Sequence, residues 1–150
     1  MIIRPYTPAD GESIITLLRL NTPQYFAPEE EQDLRDYFAN HIDRYFAVED
    51  NSNIIGSGGI NITNRGKNAA LSWDIIHPEH QGKGVGRQLT QHRLDVIKSI
   101  AGIENISVRT SQLVYKFYEK FGFALKEVIK DYWAKGIDMY RMEMLYNDLV

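Results

Sequence analysis

The chain has 150 residues, 43% hydrophobic and 25% charged, with a formal net charge of −3 and no cysteine. That is one ordinary domain's length with enough apolar content for a core, and it excludes disulfides and thiolate metal ligands. The acidic balance and the lack of a long basic run argue against nucleic-acid binding, and no apolar run approaches membrane-spanning length. The N-terminus lacks a signal-peptide pattern, so the expected compartment is the cytoplasm.

Residues 1–6 read as a short strand. Thr7 can cap a helix, Pro8 suits its first position and Asp10 its first turn, ahead of an apolar stripe at Ile14, Leu17 and Leu18. Residues 21–27 read as a loop carrying Tyr25 and Phe26. Pro28 starts a second helix, with Leu34, Tyr37, Phe38 and Ile42 on its buried face. Glu29, Glu30 and Glu31 sit near its positive end and read as a helix N-terminus, not as an amine trap. Residues 45–49 and 54–63 read as strands joined by a turn. Gly56, Gly58 and Gly59 weaken the second and mark a bulge or a close backbone approach. After a turn at 64–67, residues 69–77 form a strand stopped by Pro78. A glycine-rich turn follows, then a helix with Leu89, Arg93, Val96, Ile97 and Ile100 on one face. The chain ends with a strand near Ile106, a helix over about 113–121 stopped by Gly122, and strands near 125–132 and 138–145. Hairpins alternate with crossovers through helices, so an α/β fold with a mixed sheet is expected, in one domain over 1–150.

The segment Gln81-Gly82-Lys83-Gly84-Val85-Gly86 joins an apolar strand to a helix. Glycines let the backbone approach a ligand closely, and the first free N–H groups of the helix favour an anion. The pattern is that of a pyrophosphate cradle, with a plain tight turn as its other reading. It is not a P-loop, because Lys83 is followed by Gly84 and not by a hydroxyl, which disfavours a phosphotransferase. Nor is it a dinucleotide fingerprint, because the glycines fall at 82, 84 and 86.

The spacing resembles the Q/R-x-x-G-x-G/A signature of the GNAT superfamily of acyl-CoA-dependent N-acyltransferases, with Gln81, Gly84 and Gly86 at the signature positions. Phe117-Tyr118-Glu119-Lys120-Phe121-Gly122-Phe123 is similar to a second segment near the end of GNAT domains, and the opening, with Arg4, Pro5 and Asp10, is similar too. Several local signals in the right order reinforce one another over the whole chain. The resemblance implies a central, mostly antiparallel sheet flanked by helices. Two middle strands, the one ending at His77 and the one over 106–110, splay apart to admit the cofactor.

The resemblance also implies roles. Acetyl-CoA is the co-substrate and a small-molecule or peptide amine is the acceptor; the amine attacks the acetyl carbonyl directly and a thiolate leaves. Ile75, Ile76 and His77 pair with the pantetheine arm almost as an extra strand. Amides over 82–87, from Gly82 through Val85 to Arg87, hold the pyrophosphate; Lys83 and Arg87 add charge or simply form a solvated face. Tyr118 matches the tyrosine that protonates the thiolate, with core packing as its other reading. Some relatives carry a glutamate where Ser107 stands, so Asp74 is the candidate base, or else a structural acid bonded to Trp73's neighbours or an arginine; a water chain is the third route. Ser111 takes the place of a CoA-contacting asparagine. Tyr25, Phe26, Tyr132 and Trp133 are candidates for the acceptor pocket or for core. The four histidines have no metal-ligand spacing, so no metal is expected. A homodimer is left open, and so is a catalytically impaired CoA-binding module as the alternative function.

Overall fold

The computed structural model describes residues 1–150. Seven strands form one sheet in the order β1-β2-β3-β4-β5-β7-β6. They are β1 (Ile2–Pro5), β2 (Arg44–Asp50), β3 (Asn53–Thr63), β4 (Asn68–Ile76), β5 (Asn105–Thr110), β6 (Ala124–Ala134) and β7 (Ile137–Leu145). Every neighbouring pair is antiparallel except β4 and β5. The helices are α1 (Gly11–Leu20), α2 (Glu30–Asn40), α3 (Val85–Lys98) and α4 (Tyr115–Glu119). The mixed, mostly antiparallel sheet expected from the sequence is therefore present. None of the helices is long and apolar enough to cross a membrane.

Each face of the sheet buries one apolar cluster. Ile14, Leu17, Leu18 and Leu34 of α1 and α2 close over Tyr45 and Ile75. Leu89, Leu94 and Ile97 of α3 pack with Ile60, Leu71, Ile106, Val108 and Met142 on the other face. The N-terminal strand is tied to the first helix by a bidentate pair from Arg4 to Asp10, both contacts at 2.8 Å. Asp10 also accepts the Thr7 N–H at 2.8 Å. This anchoring holds Asp10 down at about 2, with the Arg4 hydrogen bonds as the main cause.

Two irregularities build the site. β4 and β5 pair in parallel only from Asn68 to Leu71, against Asn105 to Val108. Beyond Leu71 they part, and a wedge opens between them. On its other margin β4 bulges: Ile75 faces Ser57, but Ser72 faces Gly59. Trp73 and Asp74 thus stand opposite the single residue Gly58. Trp73 takes φ of +50°, a left-handed conformation costly for a bulky side chain. Gly58 is required by contact: a Cβ there would lie 2.9 Å from Arg93 Nη1 and 3.0 Å from Asp74 Oδ1. Of the bulge or close approach expected of the β3 glycines, Gly58 realises the close approach; the bulge is in β4, opposite it.

The last helix is shorter than the sequence suggests. Residues 111–114 form a turn in which Ser111 Oγ accepts the Leu113 N–H at 3.2 Å, and regular α-helix runs only over Tyr115–Glu119. Gly122, with φ of +101°, ends it.

Candidate active site

The wedge opens into a cleft of about 1050 Å³. One end is main chain. Gly82 and Gly84 have φ of +75° and +86°, and Gly84 caps α3 in the left-handed conformation. The turn thereby aims the first amides of α3 outward. A Cβ on Gly86 would stand 3.5 Å from Phe117 and 3.8 Å from Ile76, so its absence leaves room where the turn meets the wedge. Gln81 is held by its own contact, Nε2 donating to Asn21 Oδ1 at 3.0 Å.

The cradle residues divide by position. Gln81, Gly82, Gly84, Gly86 and Arg87 line the cleft. Lys83 is exposed and off the cleft wall, and Val85 is buried in the core, 5% exposed, so only its backbone can take part. On β4 the register separates Ile76 from its neighbours. His77 donates its N–H to Ile55 of β3 at 2.8 Å, and alternation then turns Ile75 toward β3 as well. The wedge is left to Ile76, whose carbonyl accepts from Asn21 Nδ2 at 3.0 Å. Ile75 is core and His77 a turn residue, whose Nδ1 accepts the Glu79 N–H. The expectation that all three present their backbone to a ligand is corrected to Ile76 alone; strand parity, invisible in composition, decides it.

The centre of the cleft is built from side chains of three elements. Arg93 of α3, fully buried, reaches the bulge of β4 and pairs with Asp74: Nη1 meets Oδ1, and Nη2 donates to Oδ2 at 2.6 Å. Its remaining donors go to Gly59 O at 3.2 Å and Thr90 Oγ1 and Leu89 O at 3.4 Å. Tyr118 of α4, 3% exposed, donates its hydroxyl to the same Oδ2. Burial first, and then the Asp74 charge, raise the phenol well above its ordinary value. It is a neutral donor at any working pH. Asp74 is 21% exposed and lines the cleft with Tyr118.

Arg93 and Asn21 are the residues that sequence reasoning passed over. Arg93 appeared only as one member of an apolar helix face, four residues from Leu89 and from Ile97. A cation in such a stripe needs an acid, and Asp74 in an apolar strand needs a cation. The two anomalies answer each other.

The other candidates are distributed as follows. Ser111 lines the cleft with Oγ committed to the α4 turn, and Ser107 Oγ accepts from Asn68 Nδ2 at 2.9 Å. Tyr25, Phe26 and Trp133 line the cleft, as do Tyr37 and Trp73; Phe26 and Trp73 stack at 6.3 Å, and Trp133 donates Nε1–H to Thr110 O of β5 at 3.0 Å. Tyr132 is outside the cleft, 46% exposed and edge-on to Trp133. Burial pushes the Tyr37 phenol up to about 12.

Residues 12–123 match the acetyltransferase (GNAT) family. A spermidine N(1)-acetyltransferase from Vibrio cholerae is 31% identical, over 79% of this chain and 75% of that protein. An N-alpha-acetyltransferase 30 from Schizosaccharomyces pombe is 29% identical, over 78% and 87%. Among solved structures, an aminoglycoside 6'-N-acetyltransferase complexed with coenzyme A shares the fold with a TM-score of 0.79 at 16% identity, over 97% of both chains.

Proposed function

This chain belongs to the acetyltransferase (GNAT) family, the acyl-CoA-dependent N-acyltransferases, and on that premise we propose that it moves an acetyl group from acetyl-CoA to a primary amine by direct attack of the amine. The observation that carries the proposal is the convergence of a glycine-shaped main-chain cradle, an unpaired strand margin and a buried phenol on one cleft. The donor set fits the co-substrate. Amides of 82–87 with Arg87 would hold a pyrophosphate, and the Ile76 backbone would meet an amide-bearing arm. When bound, acetyl-CoA supplies the activated acyl group; the residues of this chain orient it and handle the protons.

Tyr118 is the donor. Turning its O–H from Asp74 Oδ2 to the leaving sulfur would stabilise charge as it develops there and supply the proton, which the phenol regains through water from the amine that has attacked. Asp74 and Arg93 hold the phenol in place for that turn. Both Asp74 oxygens already accept from Arg93, so Asp74 is a positioning residue and the amine's proton leaves through water. This replaces Asp74 as direct base. Ser107 and its Asn68 partner, where β4 and β5 are still paired, give the cleft wall polar groups along which water can be ordered.

The names of the two curated relatives refer to an alpha-amine and to spermidine, and a small-molecule or peptide amine is the acceptor class carried to this chain. The test is thiol release from acetyl-CoA over a panel of oligoamines, amino acids and peptide N-termini, with the acceptor's mass followed in parallel. Amine-dependent release with a matching acetyl mass shift is expected. Binding of acetyl-CoA with no release on any amine would instead identify a catalytically impaired CoA-binding module.

A further inference from the structure

Resting on the acetyl-transfer reading, we propose that Glu30 is the acceptor-recognition residue of the cleft and takes the second ammonium of an aliphatic diamine or longer oligoamine. Two acids in this protein are buried, Asp10 and Glu30. Asp10 has its cation in Arg4. Glu30, 8% exposed, has none, although it lines the cleft. Its Oε2 accepts the Ala27 N–H at 2.7 Å, which fixes the side chain at the start of α2. Oε1 has no hydrogen-bond partner, and no buried polar side-chain atom of the protein is left unpaired, so Oε1 keeps access to solvent.

A carboxylate in so little water is costly without a counter-charge. Burial, followed by the charges of Asp33 and Glu29, raises its pKa, so the acids around it deepen the deficit. The missing partner is a cation. The cleft that Glu30 lines suits one: Phe26 and Trp73 of its wall stack at 6.3 Å and 15°, and aromatic faces attract an ammonium and its methylenes. Arg109, on the β5 wall of the cleft, forms no ion pair with Glu30.

The bound ammonium is not the reacting nitrogen. A carboxylate that holds an ammonium keeps it protonated, whereas the attacking amine must be neutral. The reacting end is at Tyr118 of α4 and its partner Asp74, which shares the β4 bulge with Trp73. The acceptor therefore carries charge at one end, an apolar spacer along the aromatic wall and the nucleophile at the other end. An amino acid would bring its carboxylate toward Glu30 and be repelled.

The experiment compares diaminobutane with butylamine under saturating acetyl-CoA, in wild type, Glu30→Gln, Glu30→Ala and the control Glu31→Gln. Gln keeps an oxygen for the Ala27 N–H and removes only the charge. Wild type should prefer diaminobutane. Glu30→Gln should cut that preference about 10- to 100-fold through KM, the range of a lost charge-assisted hydrogen bond, with Tm unchanged. Glu30→Ala should lose the preference and lower Tm. Glu31→Gln, whose carboxylate faces Arg19 and Arg35 on the outside, should retain it. An unaltered preference in Glu30→Gln, or loss of Tm without loss of preference, overturns the proposal and leaves Glu30 as a helix cap. Wild-type transfer to both amines with equal efficiency overturns it alone; transfer to neither, with acetyl-CoA bound, overturns it together with acetyl transfer.

Discussion

The two ends of the cleft are made in opposite ways. The cradle is one contiguous segment, works through main-chain amides and needs glycine at φ of +75° and +86°. The centre joins Asp74, Arg93 and Tyr118 from β4, α3 and α4, and works through charges taken out of water. A main-chain site tolerates changes to its side chains but not to its dihedrals. A buried charge site tolerates no unmatched change in charge, because the partner left behind is uncompensated. The two ends should therefore fail separately, one in affinity and one in stability or rate.

The largest break is expected at the centre. Asp74→Asn leaves Arg93 buried without its anion and should lower the unfolding free energy by about 3–5 kcal/mol, read by urea denaturation. The surviving folded fraction should bind acetyl-CoA as wild type does, because the cradle is untouched. A stable Asp74→Asn protein would mean that the pair does not hold the centre together.

Next is the cradle. Gly84→Val must adopt a left-handed conformation that costs a non-glycine residue about 1–2 kcal/mol, and more for a β-branched one. Affinity for CoA should fall about tenfold or more by calorimetry, while turnover at saturating acetyl-CoA stays near wild type. Unchanged affinity would remove the cradle assignment.

The smallest effect sharpens the contrast within one segment. Lys83 is off the cleft wall and Arg87 on it. Lys83→Ala should change CoA affinity by less than about threefold at physiological salt, as a screened surface charge. Arg87→Ala should cost severalfold more. Equal losses would mean that long-range charge, and not the wall, holds the phosphates.

What could be read from the sequence follows the same division. The strands, the parallel crossover and the cradle depend on local periodicity and on glycine spacing, so 81–87 could be recognised as a segment. Tyr118 was legible because it lies in a contiguous motif. Arg93 was not, because its meaning depends on a partner 19 residues away, brought within reach by a two-residue bulge. His77 shows the same limit: its N–H faces β3 through register, which no spacing in a single strand reveals. Glu30 read as a helix N-terminus and does cap Ala27, but the missing cation is visible only once burial is known.

The most direct measurement is Tyr118→Phe, assayed for thiol release under conditions where chemistry limits the rate, with acetyl-CoA affinity measured beside it. Phe keeps the packing against Phe117 and Phe123 and removes only the hydroxyl that meets Asp74. Turnover should fall about 10²-fold or more with affinity unchanged. Because the phenol is raised well above 10, the wild-type rate should rise with pH as amine becomes free and show no descending limb below about pH 10. A fully active Phe variant would contradict a donor role for Tyr118 and reduce it to a core residue.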